Sequence, residues 1–556
     1  MVQIPFSKMM QRIMFEKKTY NTVYGVSQLY THDGMKELDL FEQKLENPFG
    51  PAAGPHTQLA QNLVASYVGG SRFFELKTVQ ILDGHDLHVD KPCIRADDEC
   101  YNVEWSTELY VPQALEEYIK GWYAIKLIAK EFGFGDPDKF IFNMSVGYNL
   151  EGIQSKKIDD FIEGLKDARH TNTWKECEEW ALAHLEEFEH LDEAYIKSIS
   201  SNICNSITLS TMHGCPRNEI EGIITHLLTK KKINTYLKCN PTLLGYEFVR
   251  KTLDDMGYDY MTFDQHGFES DLQYNEAVTL IQKMQELGRE QGLTFGVKLS
   301  NTFHVKITSN ELPGQDMYMS GKALYPLTIN VAAKLAKDFD GNLPMSFSGG
   351  ADTNNIQKIF DTGIWPITVA TVLLKPTGYQ VIKKLATLLD ACEYPVNQKV
   401  DVAKLEALAK EAISDKNYQK TEAARKKSLL NFGEHKNVRV ECKVVCGSCV
   451  NVCPNRANTT VVVEGTKRML HIDDSCNECG NCYIFCPDHC TPYKDRFTLF
   501  QNREALEDSS NEGFAYLGDN VVYRFEGSVL ECKLTKAPEV VQNFITAIKE
   551  QQPYLL

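Results

Sequence analysis

Eight cysteines in the last quarter of the chain stand at spacings suited to metal–thiolate chemistry. The first run is Cys442-x3-Cys446-x2-Cys449-x3-Cys453-Pro454; the second is Cys476-x2-Cys479-x2-Cys482-x3-Cys486-Pro487. The second run has the Cys-x2-Cys-x2-Cys-x3-Cys-Pro spacing of [4Fe–4S] ligation, and the first differs by one residue between its first two cysteines. Two-residue steps wrap one loop around one cluster, and the more distant fourth thiolate crosses to the other. This arrangement assigns Cys442, Cys446, Cys449 and Cys486 to one [4Fe–4S] cluster, and Cys476, Cys479, Cys482 and Cys453 to a second. Zinc ribbons use pairs of Cys-x2-Cys rather than quartets closed by proline. Cys490 and Cys532 fit neither quartet and read as free or packed thiols.

The other cysteines are sparse: seven of the seventeen fall in the first 400 residues. Disulfide-rich secreted proteins are short and carry a signal. The start of this chain, MVQIPFSKMMQRIMFEKK, lacks the apolar core and cleavage site of one. A reducing, cytoplasmic setting is therefore expected. No run approaches ~18 apolar residues, so no membrane span is expected. The net charge of −16 argues against a nucleic-acid partner.

Two clusters in a small module carry electrons but bind no organic substrate, so the chemistry should lie elsewhere in the 556 residues. From about 46 to 397, short β-branched runs (FFELKTV, KFIFNMSVGY, SITLST, TYLKCNP, TFGVKLSNT, LPMSFSGG, PITVAT) alternate with helical patterns. Repeated β–α alternation predicts a parallel sheet, and roughly eight units predict a closed (β/α)8 TIM barrel in an α/β chain. No G-x-G-x-x-G follows a strand, so a dinucleotide-binding fold is not predicted. Residues 1–45 read as a leader with one amphipathic helix, 155–200 as a helical insertion, 398–438 as a helical linker, and 439–556 as a small α+β ferredoxin-like domain for two [4Fe–4S] clusters.

Several segments carry a family resemblance. Asn47-Pro-Phe-Gly-Pro-Ala-Ala-Gly, Phe74-Glu-Leu-Lys-Thr78 and Gly349-Gly350-Ala-Asp resemble, in order, the FMN barrel of dihydropyrimidine and dihydroorotate dehydrogenases. PAAGPHTQLAQN, FELKTVQIL, FNMSVGYNLEGI, STMHGCP and CPNRAN resemble the bacterial YgfK family more closely, over most of the chain. Longer members of that family carry an FAD/NAD(P)H module between barrel and ferredoxin domain, which this sequence replaces with the 398–438 stretch.

The resemblance implies FMN contacts at Ala52, Ala53, Lys77, Thr78, Asn143 and Lys238, with Lys238 favouring electron density at the flavin N1. It implies a phosphate cradle at Gly321, Gly349, Gly350 and Thr371, where glycines let backbone N–H groups approach. It implies substrate contacts at Asn102, Glu104, Asn301 and Thr302. Amide side chains suit the N–H/C=O edges of a cyclic ureide. Ser210 stands where the family has a third asparagine, which suggests a substrate other than a simple pyrimidine. The proton donor lies on Thr211-Met-His-Gly-Cys-Pro216, with Cys215 favoured over His213.

The implied reaction is oxidation or reduction of a C=C bond in a pyrimidine- or purine-type heterocycle such as urate or xanthine. Electrons would pass through the two clusters to FMN from a separate FAD/NAD(P)H-dependent subunit or a ferredoxin, in a homo- or hetero-oligomer. Two alternatives are an electron-transfer subunit with an inactive barrel and the selenate reduction proposed for the family. The second lacks any pterin-type site.

Overall fold

The computed structural model describes all residues except 105, 212–213, 423, 425–441 and 443, and only the backbone of residue 85. Eight parallel strands form its centre: β1 (Phe49–Pro51), β2 (Phe73–Glu75), β3 (Ile141–Tyr148), β4 (Ser206–Thr211), β5 (Asn234–Cys239), β6 (Phe295–Leu299), β7 (Met345–Phe347) and β8 (Ile367–Val369). They pair in the order β1-β8-β7-β6-β5-β4-β3-β2. At the remaining seam, the Arg72 N–H donates to the Phe49 carbonyl at 2.8 Å. Gly50 permits this closeness, since a Cβ there would lie 1.6 Å from the Phe73 oxygen. The result is a TIM barrel. Helices cover its outside, so strands such as β3 are buried along nearly their whole length.

The barrel interior is polar at one level. Lys298 on β6 forms an ion pair with Glu75 on β2 and donates to Thr368 Oγ1 on β8 at 2.7 Å. Above it, four strands that the local pattern did not predict make an antiparallel cap: Phe303–Lys306, Asp316–Ser320, Cys100–Asn102 and Ile94–Arg95, in that spatial order. They belong to the segments that follow β2 and β6, so they cover the end of the barrel where the strands finish.

The first residues do not stand apart as a leader. Helix Phe6–Tyr20 places Phe6, Met9, Met10 and Ile13 in the main core. Between 155 and 200, helices Lys156–Lys166, Asn172–Ala183 and Glu193–Ser198 begin at Ser155, Thr171 and Asp192, whose side chains accept from backbone N–H groups. Helix Val402–Ser414 packs against Tyr325–Asp338 on the barrel wall. Beyond it, buried Lys420 pairs with Asp98 and Glu99. Of the expected linker, residues 423 and 425–438 lie outside the described residues.

The C-terminal part forms a six-stranded sheet spanning Asn458–Val463 to Ser528–Lys533. Helix Glu539–Gln551 covers it through Val541, Phe544 and Ile548, which pack on Val461, Leu470 and Phe514. The cysteine loops lie on either side of its first hairpin. No helix among the described residues is long and apolar enough to cross a membrane.

Candidate active site

Strand ends and cap enclose a cavity of about 380 Å³. Each strand end delivers its own residues: Ala52 and Ala53 after β1, Lys77 and Thr78 after β2, Ser210 on β4 and Lys238 on β5. Asn301 and Thr302 follow β6, Gly349 and Gly350 follow β7, and Thr371 follows β8. The cap contributes Asn102, Tyr318, Ser320 and Gly321. TIM barrels place their chemistry at this end, because the eight βα loops converge there.

Three lysines meet at the floor. Lys298 is neutralised by Glu75. Lys77 Nζ lies 3.2 Å from Glu104 Oε1, and both are buried. Burial pushes the Glu104 carboxyl up, and the Glu108 charge adds to this, while Lys77 and Lys91 pull it down. Lys238 is different: its ammonium has no hydrogen bond or ion pair among the described residues. Burial drives it down to about 8, against the pull of Glu75 and helped by the charges of Lys298 and Lys77. A cation lining a cavity without a partner is a site for an anionic group.

The glycines form a close-walled cradle. A Cβ on Gly349 would lie 2.2 Å from Thr328 Oγ1, and one on Gly350 would lie 2.3 Å from the Gly321 oxygen. Gly321 and Gly350 have φ of 77° and 74°, in the left-handed region. Among the described residues, no acceptor takes the N–H of Gly349, Gly350 or Thr371. Gly349 and Gly350 lie against Thr328 and Tyr325 in the first turn of the helix Tyr325–Asp338, and Thr371 opens the short turn Thr371–Leu374, an arrangement that suits a phosphate.

Fourteen of the expected barrel residues line this cavity: Ala52, Ala53, Lys77, Thr78, Asn102, Glu104, Ser210, Lys238, Asn301, Thr302, Gly321, Gly349, Gly350 and Thr371. Asn143 does not. Its Nδ2 donates to Thr208 Oγ1 at 2.8 Å inside the barrel, because an inward residue in mid-strand packs below the mouth. Cys215 lines a smaller adjoining cavity with Asp271, which shares Thr211 and Lys238 with the large one. Burial raises its thiol to about 11. His213 lies outside the described residues. Sequence reading missed Gln80, Ser300, Tyr318 and Ser320 as lining residues, and Lys298 beneath them. Lys298 carried a signal, a charged residue inside the apolar strand FGVKL.

The two cysteine quartets assemble separately. Cys453, Cys476, Cys479 and Cys482 line one small cavity. Cys449 lies within electrostatic reach of Cys486, Cys446 and Cys442. In neither quartet do three sulfurs come within 4.8 Å of one another. Four thiolates on one zinc ion, at Zn–S of about 2.3 Å, would be roughly 3.8 Å apart. Cys446 is exposed. Cys490 Sγ lies 3.3 Å from Cys486 Sγ and accepts from Arg496 Nη2 at 3.0 Å.

The second quartet abuts the barrel cavity. The carbonyl of Cys479 accepts from the Cys93 and Ile94 N–H groups at 3.0 and 2.9 Å. Asn481 Nδ2 donates to the Leu374 carbonyl at 2.9 Å. Ile94 and Leu374 both line the large cavity. One layer of residues therefore separates the thiolates from the site.

The family match agrees with this architecture. The family described as oxidoreductase YgfK, N-terminal TIM-barrel domain, matches residues 24–420. YgfK of Escherichia coli K12 is 44% identical over 431 residues, which are 75% of this chain and 42% of that protein. The match thus spans less than half the length of that relative. Ketoisovalerate oxidoreductase subunit VorC of Methanothermobacter marburgensis is 36% identical over 53 residues, 9% of this chain and 66% of VorC. Ligand-free DHODH from Eimeria tenella superposes with a TM-score of 0.43 at 15% identity, over 71% of this chain and 98% of that one. The chain belongs to the YgfK oxidoreductase family.

Proposed function

We propose that this oxidoreductase is an iron–sulfur flavoprotein that reduces, or in reverse oxidises, a C=C bond of a pyrimidine- or purine-type cyclic ureide. The observation that carries this reading is the Cys479–Ile94 contact, which joins a thiolate quartet to a cavity holding an unpartnered lysine and a glycine cradle. The residues present fit FMN. Gly321, Gly349, Gly350 and Thr371 would hold its phosphate, Ala52 and Ala53 would back its ring, and Lys238 would supply the cation for its anionic form. Bound there, FMN supplies hydride transfer to a ring carbon and exchange of single electrons with iron–sulfur clusters.

The chain's own residues do the rest. Asn102, Asn301 and Thr302 orient the heterocycle through its N–H and C=O edges, and Lys77 and Glu104 form a charged pair beside it. The cap lies over the strand ends where the ring would sit. Cys215, in the adjoining cavity, keeps its proton at neutral pH and is the donor this reading assigns to the second ring carbon. Ser210 in the place of an amide widens the acceptance towards a larger ring such as xanthine or urate. Cys442, Cys446, Cys449 and Cys486 would hold one cluster and Cys453, Cys476, Cys479 and Cys482 the other, supplying single-electron transfer. The exposed Cys446 would face the donor, an FAD/NAD(P)H-dependent subunit or a ferredoxin, and the second quartet would lie nearer the cavity.

An anaerobic titration tests this. The purified protein is reduced with dithionite, and uracil, thymine, orotate, xanthine and urate are added separately while flavin absorbance is followed. Rapid reoxidation by one compound, slowed by two orders of magnitude or more in Cys215→Ala, is expected. Intact iron–sulfur absorbance with no flavin would refute this reading and leave an electron-transfer subunit.

A further inference from the structure

Iron–sulfur clusters deliver electrons without protons. If the cavity works as proposed above, each C=C reduced takes up two electrons from the clusters and two protons from water. One proton leaves with the hydride and the other reaches the neighbouring carbon. Cys215 accounts for the second. The first needs a donor of its own beside the flavin end of the cavity.

The structure offers one. Glu104 lines the cavity and is 5% exposed. Its carboxyl, the Glu108 carboxyl and the Cys93 sulfur have ligand atoms all within 4.8 Å of one another, a span that one water bridges. Glu108 is partly exposed, with 18% of its side chain open. It is held by Lys91 on one side and by Asn477 Nδ2 at 2.8 Å on the other. Asn477 stands between two ligands of the second quartet, Cys476 and Cys479. The charged or titratable groups facing Glu104 are therefore Lys77, Lys91, Cys93 and Glu108. Lys91 donates to the Cys93 sulfur at 3.7 Å, and burial keeps that thiol protonated, so it stands beside the two carboxyls without a charge.

We propose that Glu108 and Glu104 form a proton inlet that brings solvent protons to the cavity alongside the electron route. Glu108 takes a proton at the surface and passes it through a bridging water to Glu104, which releases it beside Lys77. This rests on the reading of the cavity as a flavin site. Lys91 and Lys77 bound the inlet at its two ends, and each holds its carboxylate in place. Because Asn477, on the second quartet's own loop, holds Glu108, the inlet would open beside the electron route.

The test uses the whole protein with its clusters and flavin, followed by stopped flow as dithionite bleaches the flavin in H2O and D2O. Glu108→Gln is expected to keep wild-type flavin and iron–sulfur absorbance. It should bleach ~10-fold slower with a larger solvent isotope effect, with the rate recovered by added acetate or by Glu108→Asp. A wild-type rate and isotope effect in Glu108→Gln would overturn the inlet. A second readout needs no flavin. Infrared difference spectra across a pH titration should show a carboxyl transition above the ordinary glutamate range, absent from Glu104→Gln. Glu108→Gln should move it to lower pH, since a neighbouring negative charge is gone. An unmoved transition would equally overturn the inlet. A protein lacking a flavin band but showing the infrared coupling would instead refute the flavin reading.

Discussion

The main-chain N–H of Ile94 donates to the carbonyl oxygen of Cys479 at 2.9 Å, and the Ile94 side chain lines the barrel cavity. One hydrogen bond thus spans the boundary between the thiolate loops and the site. A buried N–H must find an acceptor, so the pairing also fixes the C-terminal part on the cap. Asn481 repeats the device from its Nδ2 to the Leu374 carbonyl.

The first prediction concerns the crossing of the quartets. Cys453 precedes the second run by more than twenty residues, yet it lines a cavity with Cys476, Cys479 and Cys482. Cys453→Ser and Cys479→Ser should therefore deplete the same paramagnetic signal, and Cys486→Ser the other. Each should lower iron per chain by about half. Iron analysis and electron paramagnetic resonance of the reduced variants check this. A Cys453→Ser variant that loses the signal removed by Cys446→Ser would contradict the crossing.

The second concerns Lys238. Its folded value of about 8 lies below the ordinary 10.5. Between those values the unfolded chain binds more protons than the folded one, so stability rises with pH across that window. At about 1.4 kcal/mol per unit the gain is at most about 3 kcal/mol. Flavin-free protein should show it in urea melts at pH 7.5 and pH 10, after subtraction of the same difference for Lys238→Met. Saturation with an anionic cavity ligand should abolish it, because the ammonium then has a partner. A pH-independent difference between the two proteins would refute the assignment of Lys238 as an uncompensated cation.

The third concerns the cradle. Gly349→Ala drives a methyl group to 2.2 Å from Thr328 Oγ1, and Thr328 is itself hydrogen-bonded to Ser300 Oγ at 2.7 Å. The expected cost is about 1–3 kcal/mol of stability. Gly350→Ala meets the Gly321 backbone oxygen at 2.3 Å and Tyr325 Cβ at 2.9 Å, and that oxygen cannot rotate away. Gly350→Ala should therefore lose flavin more completely than Gly349→Ala, measured as the flavin-to-protein ratio after gel filtration. Equal retention to wild type in both would show that the cradle holds no phosphate.

Much of this architecture was legible before the fold was seen, for reasons that differ by element. The run FIFNMSVGY carries no charged residue because β3 is buried on both faces, and burial on both faces is what a barrel strand requires. The cysteine quartets were legible because ligation sets spacing along the chain. The cap was not: Ile94–Arg95 is two residues long, and Asp316–Ser320 pairs with Cys100–Asn102, more than 200 residues away. Nothing local holds such strands. The position of Cys215 was equally hidden. Its distance along the loop gives no indication of which side of Lys238 it faces, and the structure places it in the smaller cavity.

The last prediction tests the layer beneath the site. Lys298 and Glu75 lie 223 residues apart and meet inside the barrel, both almost fully buried. Removing one partner leaves the other charged in a dry interior, so Lys298→Met should cost about 3–5 kcal/mol. The double variant Lys298→Met/Glu75→Leu should cost much less, because two apolar side chains can fill the space that the pair occupied. The single variant also removes a positive charge that depresses Lys238, and leaves Glu75 free to attract it. Lys238 should then titrate higher, and the rise of stability with pH expected for the flavin-free protein should shrink. Denaturant melts of the single and double variants at two pH values separate the effects. Equal losses in both would show that Glu75 tolerates burial without Lys298, which would require Lys238 to have moved into its place as the counter-ion.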